Sequence, residues 1–188
     1  YGTDYTYPAD TGVLTILSDK AITIANTNPS TSTTDRIEVA DGVSANITLA
    51  GVNIDVSSQS DTAAFKIADN STGNVTITLA DGTTNTLKSG DNCAGLQKNG
   101  EYSETLGKLT ITGTGSLTAT GGEYGAGIGG GGGGSSSNIE ISGGTVTATG
   151  GSGGAGIGGG NSGSGIYIEI SGGTVKADTI GCTPTDGT

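Results

Sequence analysis

The segment TATGGEYGAGIGGG, starting at Thr118, returns as TATGGSGGAGIGGG starting at Thr147. The interval is constant: Ile141 to Ile170, Val146 to Val175 and Ala126 to Ala155 are each 29 residues apart. Each copy follows a short alternating run, KLTITGTGSLTATG for the first and NIEISGGTVTATG for the second. A third run of the same kind, YIEISGGTVKAD, comes after both. A period of this size marks a chain built from stacked units, none of which can bury its apolar face alone.

Aligning by period extends the repeat back to the N-terminus and gives three short strand types per unit. Strand A reads VLTIL (13–17), NITLA (46–50), VTITL (75–79), KLTIT (108–112), NIEIS (138–142) and YIEIS (167–171). Strand B reads AITIA (21–25), NIDVS (53–57), NTLKS (85–89), SLTAT (116–120), TVTAT (145–149) and TVKAD (174–178). Strand C reads RIEVA (36–40), AFKIA (64–68), CAGLQ (93–97), GAGIG (125–129), GAGIG (154–158) and TIGCT (179–183). Alternation of period two sends Ile47 and Leu49, Ile77 and Leu79, Ala126 and Ile128 inward and their neighbours outward. The A-to-B turns are short and carry glycine, as positive φ requires. Parallel strands cannot be joined by two-residue hairpins, and closing the chain into coils avoids crossover helices.

The expected fold is therefore an all-β, right-handed parallel β-helix, a single domain over 1–188 of about six coils with three short strands each. Residues 1–12 would cap the start, 13–178 would form the coils, and 179–188 would form a truncated last coil and cap. A β-sandwich also uses short strands and glycine turns, but a near-constant lag carried by three strand types in fixed order favours the coil. Glycine is 38 of 188 residues without a G-X-Y period, which excludes collagen.

Composition narrows the function. Net charge is −11 and the seven Lys and Arg stand singly, so there is no basic footprint for nucleic acid or an anionic membrane. No apolar run approaches the length of a membrane span. The acidic, Thr-, Asn- and Gly-rich chain fits a secreted or cell-surface setting, and its opening, YGTDYTYPAD, reads as an excised module or mature product. Cys93 and Cys182 fall three coils apart, roughly 14 Å at the strand spacing, and are expected as free thiols.

With no histidine in the chain, Ser-His-Asp, Cys-His and His-based metal chemistry are absent. Glu140 and Glu169 should stack on the outer side of strand A, but an exposed ladder tunes no pKa for glycoside hydrolysis. Lys66, Lys88, Lys98 and Lys176 read as isolated cations, none of them within an Asp cluster as a lyase needs. The domain is thus expected not to be an enzyme and to need no cofactor. Asp41, Asp69, Asp81 and Asp91 sit at turns, where Asx geometry accounts for them; one structural Ca²⁺ is the metal their oxygens could serve. Thr118 and Thr120 should lie beside Thr147 and Thr149, a two-coil threonine ladder of the ice-binding kind that breaks at Lys88 and Lys176.

Seven aromatic residues make the tyrosines informative. Tyr102 falls in a C-to-A corner, Tyr124 in a B-to-C corner and Tyr167 on the outside of strand A. Exposed rings stack on the C–H face of sugars while polar neighbours bond the hydroxyls. Glu123, Asp91 and Asn92 stand in nearby corners, so the candidate ligand-binding residues are Tyr102, Tyr124, Tyr167, Glu123, Asp91 and Asn92.

The motifs CAGLQKNG, KLTITGTGSLTATGG, GAGIGG and IEISGGTVTATGG, within residues 87–178, resemble repeats of large secreted or surface-anchored proteins of Gram-positive bacteria known as carbohydrate-binding domains. Residues 1–86 share only the periodicity. The resemblance implies a non-catalytic, β-helical module, part of a larger multidomain protein, that binds a plant cell-wall polysaccharide such as xylan or a β-glucan. It carries over no binding residues, because the shared motifs are turn glycines and core aliphatics. A structural stalk or adhesin segment is the alternative, with ice binding and polysaccharide lyase activity behind it.

Overall fold

The computed structural model describes residues 2–101, 103 and 105–182, and it is a parallel β-solenoid with no helix. Sheet A contains β3 (Ala21–Ile24), β5 (Ala45–Leu49), β8 (Val75–Leu79), β11 (Leu109–Gly113), β14 (Ser136–Ile141) and β17 (Gly165–Ile170). Sheet B contains β6 (Asn53–Asp55), β9 (Thr84–Lys88), β12 (Ser116–Thr120), β15 (Thr145–Thr149) and β18 (Thr174–Ala177). Sheet C contains β1 (Tyr5–Thr6), β2 (Val13–Ile16), β4 (Arg36–Val39), β7 (Phe65–Ile67), β10 (Leu96–Lys98), β13 (Ile128–Gly129), β16 (Ile157–Gly158) and β19 (Ile180–Gly181). The five strands of sheet B define five complete coils, flanked by partial ones.

Pairing is parallel throughout except for β1, which lies antiparallel against β2 and covers that edge of sheet C. Like stacks on like. Ile22, Ile47, Ile77, Ile111, Ile141 and Ile170 form one column of sheet A. Ile54, Leu87, Ala119, Ala148 and Ala177 form another on sheet B. These columns fill the interior, with most members under 4% exposed, so the apolar burial that drives folding lies along the solenoid axis.

Two glycine features let the coils stack. The five A-to-B turns place Gly51, Gly82, Gly113, Gly144 and Gly173 at φ between 66° and 99°, where a side chain would be strained. In the B-to-C corners, a Cβ on Gly125 would run into the Cys93 carbonyl, and one on Gly154 into that of Gly125. The backbones there are in direct contact from coil to coil.

The first coil departs from the expected alignment. VLTIL joins sheet C, not A, pairing Leu14 with Ile37 and Ile16 with Val39. AITIA joins sheet A, not B, pairing Ile22 with Ile47. The cause lies in residues 26–35, NTNPSTSTTD, which are turn-formers around a proline that cannot donate to a ladder. No sheet B strand forms there, and one bridge, Thr33 to Ile54, is all that remains of it.

Register also shifts by two residues in places. Phe65 lies on Leu96 and not on Ala94, and Ile77 lies on Ile111 and not on Leu109. A shift of two leaves every side chain on its expected face and changes its neighbours: Asn85 and Lys98, on the inward face with Leu87 and Leu96, pair with Leu117 and Ile67. Both are buried. The Asn85 carboxamide accepts from the amides of Gly51 and Val52 at 3.0 and 2.9 Å and donates to the Ser116 carbonyl at 3.1 Å. Lys98 Nζ donates to the Ser137 carbonyl at 2.7 Å. Cys93 is buried and Cys182 exposed, both as free thiols.

Candidate functional site

Sheet A carries the more developed hollow. Lys108, Asn138 and Tyr167 precede the stacked residues Leu109, Ile139 and Ile168 on successive rungs. Asn138 and Tyr167 are in the left-handed region, at φ 55° and 52°. The Asn138 carboxamide donates to the Leu106 carbonyl at 2.8 Å, while Tyr167 ends half exposed. Beside it the outward column reads Thr110, Glu140, Glu169. Lys108 Nζ pairs with Glu140 at 3.0 Å, and this hydrogen bond and charge hold the Lys108 amine above its ordinary pKa, with Glu169 adding to the effect. Ser171 Oγ donates to the other Glu140 oxygen at 3.4 Å. Lys108, Asn138, Glu140, Tyr167 and Glu169, with Ile139 and Ile168, line a cavity of about 430 Å³. It offers an aromatic ring, two carboxylates, an ammonium and an amide above an aliphatic floor.

The second patch is the B-to-C corner. Tyr124, a little over a third exposed, donates its hydroxyl to the neighbouring Glu123 carboxylate, which pushes the Tyr124 phenol up from its usual pKa; Asp91 contributes a smaller push. Asn92, at φ 62°, donates to Asp61 at 2.9 Å. Asn92, Tyr124, Gly132, Gly133 and Asn161 enclose about 200 Å³. The structure thus brings Tyr124, Glu123, Asp91 and Asn92 together and keeps Tyr167 apart on sheet A. Tyr102 lies outside the described residues.

Several groups here were missed by the periodic alignment. Lys108, Asn138 and Asn161 line the two hollows, and the signal was their position: 108, 138 and 167 open successive copies of strand A. The expectation that the lysines stand isolated is corrected. Lys66 pairs with Asp69 at 3.5 Å, Lys88 pairs with Asp55 at 3.3 Å, and Lys98 is interior. The turn aspartates are engaged too: Asp69 accepts from Asn99 and Asp81 from Thr114. Among the described residues no three cysteine or carboxylate side chains gather as a metal site, and no helix is long and apolar enough to cross a membrane.

A third cavity, about 550 Å³, opens at the N-terminal end where the first coil lacks its sheet B strand. Leu14, Ile37, Val52 and Ile54 floor it, and Tyr5 and Tyr7 stand at its wall. Its polar rim is already internally bonded, as Tyr7 to Asp35 at 2.6 Å and Asn26 to the Asn53 carbonyl at 3.0 Å show.

A stacked coil of three parallel sheets with hollows on its outer faces defines a β-helical repeat domain, of the structural or binding kind. Comparison with protein families agrees: the beta helix repeat model matches residues 109–132, 139–161 and 168–183. No curated protein and no solved structure matches the chain.

Proposed function

We propose that the domain is a non-catalytic, extracellular carbohydrate-binding module that holds a plant cell-wall polysaccharide such as xylan or a β-glucan against the outside of sheet A. The observation that carries this reading is Tyr167, a bulky residue held at a φ of 52° with its ring half exposed above Glu140, Glu169 and Lys108. A tyrosine in the left-handed region costs about 1–3 kcal/mol, and such strain gathers at functional sites. The ring supplies a stacking face, and the charged groups and Asn138 supply hydrogen-bond partners for sugar hydroxyls. Tyr124, Glu123, Asp91 and Asn92 form a second, shallower contact. The module belongs, on this reading, to a larger secreted or surface protein.

Affinity gel electrophoresis against soluble polysaccharides tests it. Migration should be retarded by a cell-wall glycan and restored by Tyr167→Ala. A folded domain retarded by none of the glycans would instead favour a stalk segment. That second reading draws on Ile170 and Ile180, which stand 43% and 53% exposed in the last described coil, where a further coil would cover them.

A further inference from the structure

The outer face of sheet B differs from the rest of the surface. Its outward positions, set by the parallel register, form three adjacent columns. In the middle column Thr86, Thr118 and Thr147 lie side by side. On one flank stand Thr84, Ser116, Thr145 and Thr174. On the other, Thr120 and Thr149 follow Lys88. The array therefore spans four coils, twice the extent expected from the sequence, because the alignment had not placed Thr84 and Thr86 beside Ser116 and Thr118.

Three properties define this array. None of its hydroxyls makes a hydrogen bond to a described residue, whereas turn threonines such as Thr83 and Thr114 bond a carbonyl and a carboxylate at 2.7 and 2.8 Å. It holds no carboxylate, although the chain has 18 acidic residues; Lys88, at its corner, is paired with Asp55. It also has no aromatic ring, which separates it from the tyrosine-bearing faces and removes the usual stacking contact for a sugar. A threonine has few χ1 choices, and in-register rungs repeat the same backbone. Methyl and hydroxyl groups are therefore presented at a fixed repeat, about 4.8 Å between rungs and ~6.7 Å along each strand.

A rigid lattice of unpaired hydroxyls and methyls, free of charge at its centre, fits a partner whose own surface repeats at similar spacings and whose chemistry is that of water oxygens. We propose that sheet B is an ice-binding face, a function separate from the polysaccharide site on sheet A. The hydroxyls would take lattice positions of ordered water while the methyls fill the gaps between them. Sheet A does not qualify, because its column of Asn46, Thr76 and Thr110 runs into Glu140 and Glu169.

The test is ice-crystal morphology and thermal hysteresis of the purified domain, with far-UV circular dichroism and a thermal melt as controls for folding. The wild type should facet growing crystals. Thr147→Arg, at the centre of the array, should lose this, and Thr78→Arg on sheet A should retain it. Lys176→Thr extends the middle column by one rung and should increase the hysteresis. Round crystals at millimolar wild-type protein would overturn the proposal. Equal losses in Thr147→Arg and Thr78→Arg would do the same, as would capture on an insoluble glycan through Thr147 without any effect on ice.

Discussion

Tyr167 stands one coil beyond Asn138 at the same point of the strand, and both hold left-handed backbone, at φ 52° and 55°. Asparagine tolerates that region and tyrosine does not. One coil has the residue this backbone prefers, and the next has a ring facing solvent at the cost of strain. Tyr167→Asn should therefore stabilise the fold by about 1 kcal/mol while removing polysaccharide retardation. Tyr167→Phe should keep both the strain and most of the binding. Urea titration beside affinity electrophoresis separates these effects; a Tyr167→Asn variant that is less stable than wild type would show that the backbone there carries no strain.

Asn85 makes the opposite case, a polar group whose role is structural. Its carboxamide joins the β5-to-β6 turn to β12, so one side chain ties three consecutive coils. Asn85→Leu would leave the Gly51 and Val52 amides buried without an acceptor, at about 1–3 kcal/mol each. The expected loss is about 2–4 kcal/mol in chemical denaturation, with glycan binding on sheet A preserved at temperatures where the variant stays folded. A loss below half a kilocalorie would mean that water reaches those amides.

Asn85 also shows where sequence reasoning stopped. Alternation of period two decides which face a residue occupies, and Ile47, Ile77 and Ile111 were legible as interior for that reason. It is blind to a slip of two residues, which preserves faces and changes neighbours. Phe65 aligns with Ala94 by pattern and lies on Leu96 in the fold; Lys98 reads as an isolated cation only because it falls just past the CAGLQ strand, two residues after Leu96 and on the same inward face. The first coil was misassigned for a related cause: VLTIL and AITIA fit either sheet by pattern, and only the missing strand at 26–35 decides between them. At the candidate sites, Glu123, Tyr124, Asp91 and Asn92 were legible because corners converge where coils stack. The Tyr167 hollow was only half legible, because its partners Lys108 and Asn138 come from other coils and their meeting depends on left-handed residues inside β14 and β17.

Calcium removal gives a direct check on the turn aspartates. Asp69 is engaged by Lys66 and Asn99, Asp81 by Thr114, and Asp61 by Asn92. Carboxylates already bonded to protein groups have less to offer a cation that takes six to eight oxygens. EDTA should leave both the melting temperature and polysaccharide retardation unchanged. A melting temperature that falls by several degrees in EDTA and recovers with added Ca²⁺ would establish a structural ion in these turns.

Lys98 sets a pH dependence that ordinary surface lysines would not give. Burial lowers its amine from 10.5 to about 8, while in the unfolded chain it returns to about 10.4. Between those values the unfolded state binds the extra proton, so stability rises with pH across this window; below it Lys98 adds no pH dependence and its full destabilisation is present. A shift of this size corresponds to about 3 kcal/mol, an upper figure because the Ser137 carbonyl solvates the charged form. Tyr7 and Tyr124 work against the trend at higher pH, since both phenols are raised in the folded state by their carboxylate partners, Asp35 and Glu123. The clean measurement is therefore a difference. Lys98→Met removes the buried charge with little change in volume, so it should be more stable than wild type at pH 7, with the gap closing by pH 10. Parallel stability curves for the two proteins from pH 7 to 10 would mean that the amine titrates as if exposed, and would remove Lys98 from the interior column beside Ile67.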